Sequence, residues 1–264
     1  MFFWLQNFLP QPVLLDLGAI KVHWYGLLIV LAIIVCLITI SRLARVKNLS
    51  PGHLSNLFFY LIIFSIIGAR LYHVLFYNFN YFINRPIDVL KVWQGGMAIH
   101  GAIVAGIIVV FFYCRKHQLN LLKYFDIFAV VLPLGQAIGR WGNFFNQELF
   151  GRPCDYSWCL FIQLVNRPAL YQNFHYFHPV FLYESLLNII LFIILLFGYK
   201  TKKWPVGAAT FIYLIGYSII RFFMEFLRLD VSQIFLGLKW VQWLSLLIIM
   251  TVVLFWKSRK RGAL

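Results

Sequence analysis

The side chains able to do chemistry fall in a few short clusters. The densest runs from Gly135 through Arg140, Gly142, Asn143, Asn146 and Glu148 to Gly151, Arg152 and Pro153. Glycines permit unusual backbone angles and close approach of a ligand. Arginine and asparagine supply donors suited to phosphate oxygens. Helix packing would account for the glycines and a capping turn for the asparagines. Packing alone does not account for Arg140, Asn143, Asn146 and Glu148 together at a membrane surface. A second cluster, Arg221, Glu225 and Arg228, has i, i+4, i+7 spacing that puts three charges on one helical face. A structural ion pair and a guanidinium fork for an anion both fit it. A third runs from Gly95-Gly96 to His100-Gly101. There a histidine serves either as a base near neutral pH or as a donor to a neighbouring carbonyl. His178-Pro179 with Tyr183-Glu184, and Tyr25-Gly26 behind His23 and Trp24, complete the set. Pro179 suits a first helical turn, which puts His178 at the cap. Trp24 and Tyr25 also suit an interfacial aromatic belt.

The elements that must carry these clusters follow from composition. Of 264 residues, 62% are apolar and only 12% charged, half the charge of a soluble domain. Disordered, collagenous and disulfide-scaffold classes are excluded by the same figures. Seven segments are long and apolar enough to span a bilayer: about 22–41, 54–75, 97–114, 122–140, 179–198, 206–226 and 240–256. The fourth is expected to break up at Gly142. Helices are required, because lipid offers the backbone no partners, and the ten-residue alternation of a membrane barrel is absent. The expected fold is therefore an all-α integral membrane protein of seven transmembrane helices, one polytopic domain over 1–264. Outer arms are expected at about 76–96 and 141–178. No basic n-region or small-residue cleavage site marks a removable signal peptide at the N-terminus.

The formal charge of +15 is then topology rather than nucleic-acid binding. Alternate connections hold 13 cations: Arg42, Arg45, Lys47, Arg115, Lys116, Lys123, Lys200, Lys202, Lys203, Lys257, Arg259, Lys260 and Arg261. The opposite set holds 7: Lys21, Arg85, Lys91, Arg152, Arg167, Arg228 and Lys239. Positive loops stay inside, so the N-terminus is expected outside and the C-terminus in the cytoplasm. Arg70, Arg140 and Arg221 remain, near the outer ends of spans, as do Glu148, Glu184 and Glu225, the only glutamates. Intramembrane charges are rare and usually functional. All clusters lie on the outer side, which predicts one anion-binding cavity opening outward.

These residues resemble the phosphatidylglycerol–prolipoprotein diacylglyceryl transferase family, which begins bacterial lipoprotein maturation. Gly139 to Pro153 is similar to that family's signature. The likeness continues through Tyr25-Gly26, Gly68-Ala69-Arg70, Gly95 to Gly101, His178 to Glu184, and Arg221 to Arg228. Ala102 and Val180-Phe181 depart from the commoner pattern, away from the proposed catalytic groups. The resemblance implies seven spans, a periplasmic N-terminus and a place in the bacterial inner membrane with the site facing the periplasm. Its partners would be phosphatidylglycerol, the lipobox cysteine of a preprolipoprotein signal peptide and the surrounding membrane lipids, with no nucleic acid, metal or other cofactor. Catalytic roles would fall to Arg140 and Arg221, holding the phosphate, and to His100 as base, with a glutamate or the phosphate itself as alternatives. Tyr25, Arg70, Asn143, Asn146, Glu148, Gly151, Tyr183, Glu184, Glu225 and Arg228 would bind substrate or orient the arginines. Cys36 and Cys114 lie in spans, whereas the spacing of Cys154 and Cys159 permits a disulfide without requiring one. A flippase or lipid-binding protein would use the same arginines.

Overall fold

Long runs of Leu, Ile, Val and Phe leave the backbone one way to satisfy itself in lipid, and the chain takes it. The computed structural model describes residues 6–18, 21–201, 203–229 and 233–261. Lys202 and the side chains of Arg259, Lys260 and Arg261, all counted among the cytoplasmic cations, lie outside the described residues. Seven long helices follow one another: α1 (Trp24–Ala44), α2 (Pro51–Phe76), α3 (Ile99–Lys116), α4 (Leu121–Asn146), α5 (Val180–Lys200), α6 (Ala208–Met224) and α7 (Trp240–Arg261). Six are long and apolar enough to cross a membrane; α6, with 17 residues, is the shorter one. At 1.5 Å per residue it reaches about 25 Å, less than the hydrocarbon core of about 30 Å. Apolar side chains such as Ile63, Phe112, Leu187 and Leu247 stand exposed on these helices, a surface that suits lipid and not water.

Two boundaries beside the candidate site differ from those expected. The fourth span does not break at Gly142: α4 runs on to Asn146, with Pro133 inside it. It ends where Gln147 and Leu149 turn into the left-handed region, at φ 50° and 56°. Helix α5 begins at Val180 with Pro179 as its cap, so His178 sits one residue outside.

The chain divides into two compact units, 1–40 with 128–264, and 41–127. In the first, the arm after α4 carries an antiparallel pair, Leu160–Phe161 with Tyr176–Phe177, in register Leu160↔Phe177. Its apolar core is Phe144, Phe150, Leu160, Ile162, Phe177 and Phe181. Arg167 is buried within the arm, donating to the Ile162 and Gln172 carbonyls. A second pair, Ile234–Phe235 with Leu238–Lys239, leads into α7.

The second unit is built on close contact between α2 and α3. A Cβ on Gly68 would lie 2.6 Å from the Gly101 carbonyl oxygen, so small residues at this crossing let the two backbones meet. The Ala98 N–H donates to the Ala69 carbonyl at 3.0 Å. The intervening arm holds a short helix, Phe79–Asn84, and two 3₁₀ turns.

Candidate active site

Glu184 is the centre of the first unit's charge network. It lies in the second turn of α5 and is 1% exposed. Arg140 Nε stands 2.5 Å from its Oε2. Arg228 Nη1 is 3.1 Å and Arg221 Nη1 3.5 Å from its Oε1. Arg221 Nη2 also pairs with Glu225 Oε2 at 3.0 Å, the i, i+4 contact read from the spacing. Two hydrogen bonds flank Glu184, one crossing to α4 and one within α5. The Ser185 hydroxyl donates to the Ala137 carbonyl of α4, and Asn188 Nδ2 donates to the Glu184 carbonyl.

Arg140 lies on α4, not in a loop, because that helix continues past it. Its Nη1 donates to Asn143 Oδ1 at 3.3 Å. Asn143 Nδ2 donates to Glu148 Oε1 at 2.8 Å, and Asn146 Nδ2 reaches the same oxygen at 3.4 Å. The signature cluster is thus one hydrogen-bonded chain from Arg140 to Glu148. Gly142 is glycine because the Tyr25 ring lies across it: an added Cβ would come 2.9 Å from Tyr25 Cε2.

Gly151 staples the arm to the end of α6. It bridges to Arg228, its N–H donates to the His178 carbonyl, and the Arg152 N–H donates to the Leu227 carbonyl. A Cβ there would lie 2.8 Å from His178 Cβ and 3.1 Å from the Leu227 carbonyl oxygen. Four clusters distant in sequence therefore meet within this unit. Trp158 Nε1 donates to the Tyr183 hydroxyl at 3.0 Å, and that hydroxyl lies 3.3 Å from His178 Nδ1. An indole only donates, so the tyrosine proton is directed at His178. Burial lowers the pKa of His178 below its ordinary value, which fits a neutral ring accepting through Nδ1.

Exposure separates Arg140 and Arg221 from the carboxylates they pair with. Arg140 and Arg221 keep 18% and 17% of their side-chain surface open, while Glu184 and Glu225 keep 1%. A small anion approaching this network meets guanidinium groups with the carboxylates behind them. Arg221 Nη1 makes no hydrogen bond here despite its ion-pair distance to Glu184.

The other two expected site residues belong to the second unit. Arg70 is buried, and its guanidinium donates to five carbonyls: Asp88, Val89, Lys91, Gly95 and Gly96. That uses the side chain to fix the arm leading into α3. The same arm is held by the Asp88 carboxylate, whose pKa is lowered by hydrogen bonds from Lys91 and Tyr81. His100 follows on the exposed side of α3, its ring 5.8 Å from that of Tyr72.

Lys239 is a participant that the sequence patterns do not single out. Its ammonium donates to Glu225 Oε1 at 3.3 Å. The two residues are 14 apart across a hairpin, outside any helical spacing. The Cys154–Cys159 disulfide, left open by the sequence, is formed. It closes the loop that places Trp158 against Tyr183.

Fold and site together define a multi-pass helical membrane protein in which buried carboxylates pair with partly exposed arginines. Residues 12–257 match the family described as prolipoprotein diacylglyceryl transferase. A phosphatidylglycerol–prolipoprotein diacylglyceryl transferase of Parasynechococcus marenigrum is 46% identical over 84% of this chain and 81% of its own length. Proteins of the same name from Synechococcus sp. strain CC9902 and Synechococcus elongatus are 47% and 43% identical, covering 84% and 86% of this chain and 80% of their own lengths. The chain belongs to the prolipoprotein diacylglyceryl transferase family.

Proposed function

We propose that this protein transfers the diacylglyceryl group of phosphatidylglycerol to the lipobox cysteine thiol of a preprolipoprotein, the first step of lipoprotein maturation. Family membership supports the reaction. The observation that carries the site assignment is the exposure of Arg140 and Arg221 in front of buried Glu184 and Glu225. In the reaction, the peptide sulfur bonds to the glyceryl carbon that carries the phosphate ester. The carbon–oxygen bond breaks, and its electron pair leaves with glycerol 1-phosphate. The thiol proton passes to a base, because the thiolate is the nucleophile.

Arg140 and Arg221 hold the phosphate and stabilise it as it leaves. His100 takes the thiol proton. Asn143, Asn146 and Glu148 set Arg140, while Glu184, Glu225 and Arg228 set Arg221. Tyr25 borders the headgroup. Gly151 and Tyr183 keep the arm on the site, and Arg70 acts by fixing the segment before His100. The reaction so written needs no metal ion or organic cofactor. The protein sits in the bacterial inner membrane as one seven-span domain, with its N-terminus and site on the periplasmic side.

Purified protein in detergent, given phosphatidylglycerol and a lipobox peptide, is expected to yield thioether-linked peptide and glycerol 1-phosphate. Arg140→Ala should lower kcat by about 10²–10³-fold, the usual effect of losing one preorganised donor to developing charge. Lipid binding without transfer would overturn the reaction. Wild-type turnover by Arg140→Ala would overturn the phosphate clamp.

A further inference from the structure

Lys239 is held more firmly than a loop cation needs to be. It ends the strand Leu238–Lys239, directly before α7. Its backbone N–H donates to Gln242 Oε1 at 2.9 Å, and buried Gln242 returns Nε2 to the Phe222 carbonyl of α6 at 3.1 Å. The ammonium itself donates to the Arg228 carbonyl at 2.8 Å and to Glu225 Oε1 at 3.3 Å. Glu225 thus divides one negative charge between Lys239 and Arg221.

The consequence is electrostatic. Among the described residues, the ion pairs of this network join four cations, Arg140, Arg221, Arg228 and Lys239, to two carboxylates, Glu184 and Glu225. Over these six groups the charge is one unit more positive with Lys239 than without it. Glu148 is exposed and reaches the network only through Asn143, so solvent screens it more strongly. Resting on the transfer reaction proposed above, the substrate phosphate is a diester with one negative charge. The departing phosphate monoester approaches two at neutral pH, its second pKa being about 6. A second unit of charge therefore develops on the phosphate as the carbon–oxygen bond breaks.

We propose that Lys239 is a positioning residue that, by sharing Glu225, leaves Arg221 less fully compensated and so better able to stabilise the second negative charge on the leaving phosphate. It touches no reacting atom. Its effect belongs to the dianionic leaving group more than to the monoanionic lipid, and so to kcat more than to KM.

The test measures binding as well as turnover. At pH 8, the affinities of glycerol 1-phosphate (dianion) and a short-chain phosphatidylglycerol (monoanion) are compared in wild type, Lys239→Gln and Lys239→Arg. Lys239→Gln should weaken dianion binding about tenfold more than monoanion binding. Its kcat should fall about tenfold, with KM for the lipid changed less than about twofold. Lys239→Arg should stay near wild type. The Glu225→Gln/Lys239→Gln double variant has the same formal network charge as wild type and should recover most of the dianion preference. It also guards against misfolding of the single variant. Equal weakening of both ligands, no weakening of either, or no recovery in the double variant would overturn the role of Lys239. Absent transfer by wild type, with the dianion preference still dependent on Lys239, would overturn the reaction and leave the charge arrangement standing.

Discussion

At the residue scale, the network is organised by Glu184 rather than by the arginines it holds. Three guanidinium groups converge on one carboxylate that is 1% exposed, and breaking such a pair from one side costs about 3–5 kcal/mol. The arginines, the asparagines and the three glutamates were legible as candidates, because charge inside an apolar chain is conspicuous. What each does was less legible. Gly142 reads from sequence as the place where a helix breaks, yet the helix passes through it and the missing side chain accommodates Tyr25. Gly142→Ala is therefore expected to displace the Tyr25 ring while leaving α4 intact. Transfer activity should fall about tenfold or more, with helical content by circular dichroism unchanged. Tyr25→Ala/Gly142→Ala should lose little beyond Tyr25→Ala alone, because residues in contact are non-additive. Full additivity of the two losses would show that the close approach has no functional weight.

At the element scale, the outer arm is a structured support and not a mere connection. Its apolar core, the Gly151–Arg228 bridge and the Cys154–Cys159 disulfide fix it over the start of α5. Little of this was readable in advance. Two-residue strands carry no periodicity to detect, and the pairing of Leu160 with Phe177 spans a long insertion. The helices were readable, since spans of about 20 apolar residues have few alternatives, but their ends depended on local turns at Gln147 and Pro179. The arm also makes stability pH-dependent through His178. Burial holds its folded pKa below the ordinary 6.5. Above 6.5 both folded and unfolded rings are neutral, and the residue contributes no pH dependence. As pH falls through 6.5 the unfolded ring takes up its proton first, so stability is lost until the folded pKa is reached. Thermal melts in detergent should show a lower Tm at pH 5.5 than at pH 7.5. In His178→Gln that part of the slope should disappear; an unchanged slope would assign the pH dependence elsewhere.

At the scale of the whole molecule, the structure sharpens the meaning of the charge asymmetry. Thirteen cations in one set of connections face seven in the other, but three of the seven have internal work. Arg167 donates within the arm, Arg228 pairs with Glu184, and Lys239 pairs with Glu225. Of the remaining four, Lys21 and Lys91 pair with Asp16 and Asp88. By the positive-inside rule the thirteen are expected in the cytoplasm. The arm's disulfide supports the same orientation, since such bonds persist on the oxidising side of the membrane. Two independent properties, charge and redox chemistry, thus favour a site on the periplasmic side. Cysteine labelling in intact cells tests this directly. In a chain with its four cysteines replaced by serine, Gln172→Cys in the arm should react with a membrane-impermeant maleimide. Lys116→Cys, at the end of α3, should react only after permeabilisation. The reverse pattern would invert the proposed topology and put the arginine network on the cytoplasmic side, away from a preprolipoprotein emerging across the membrane.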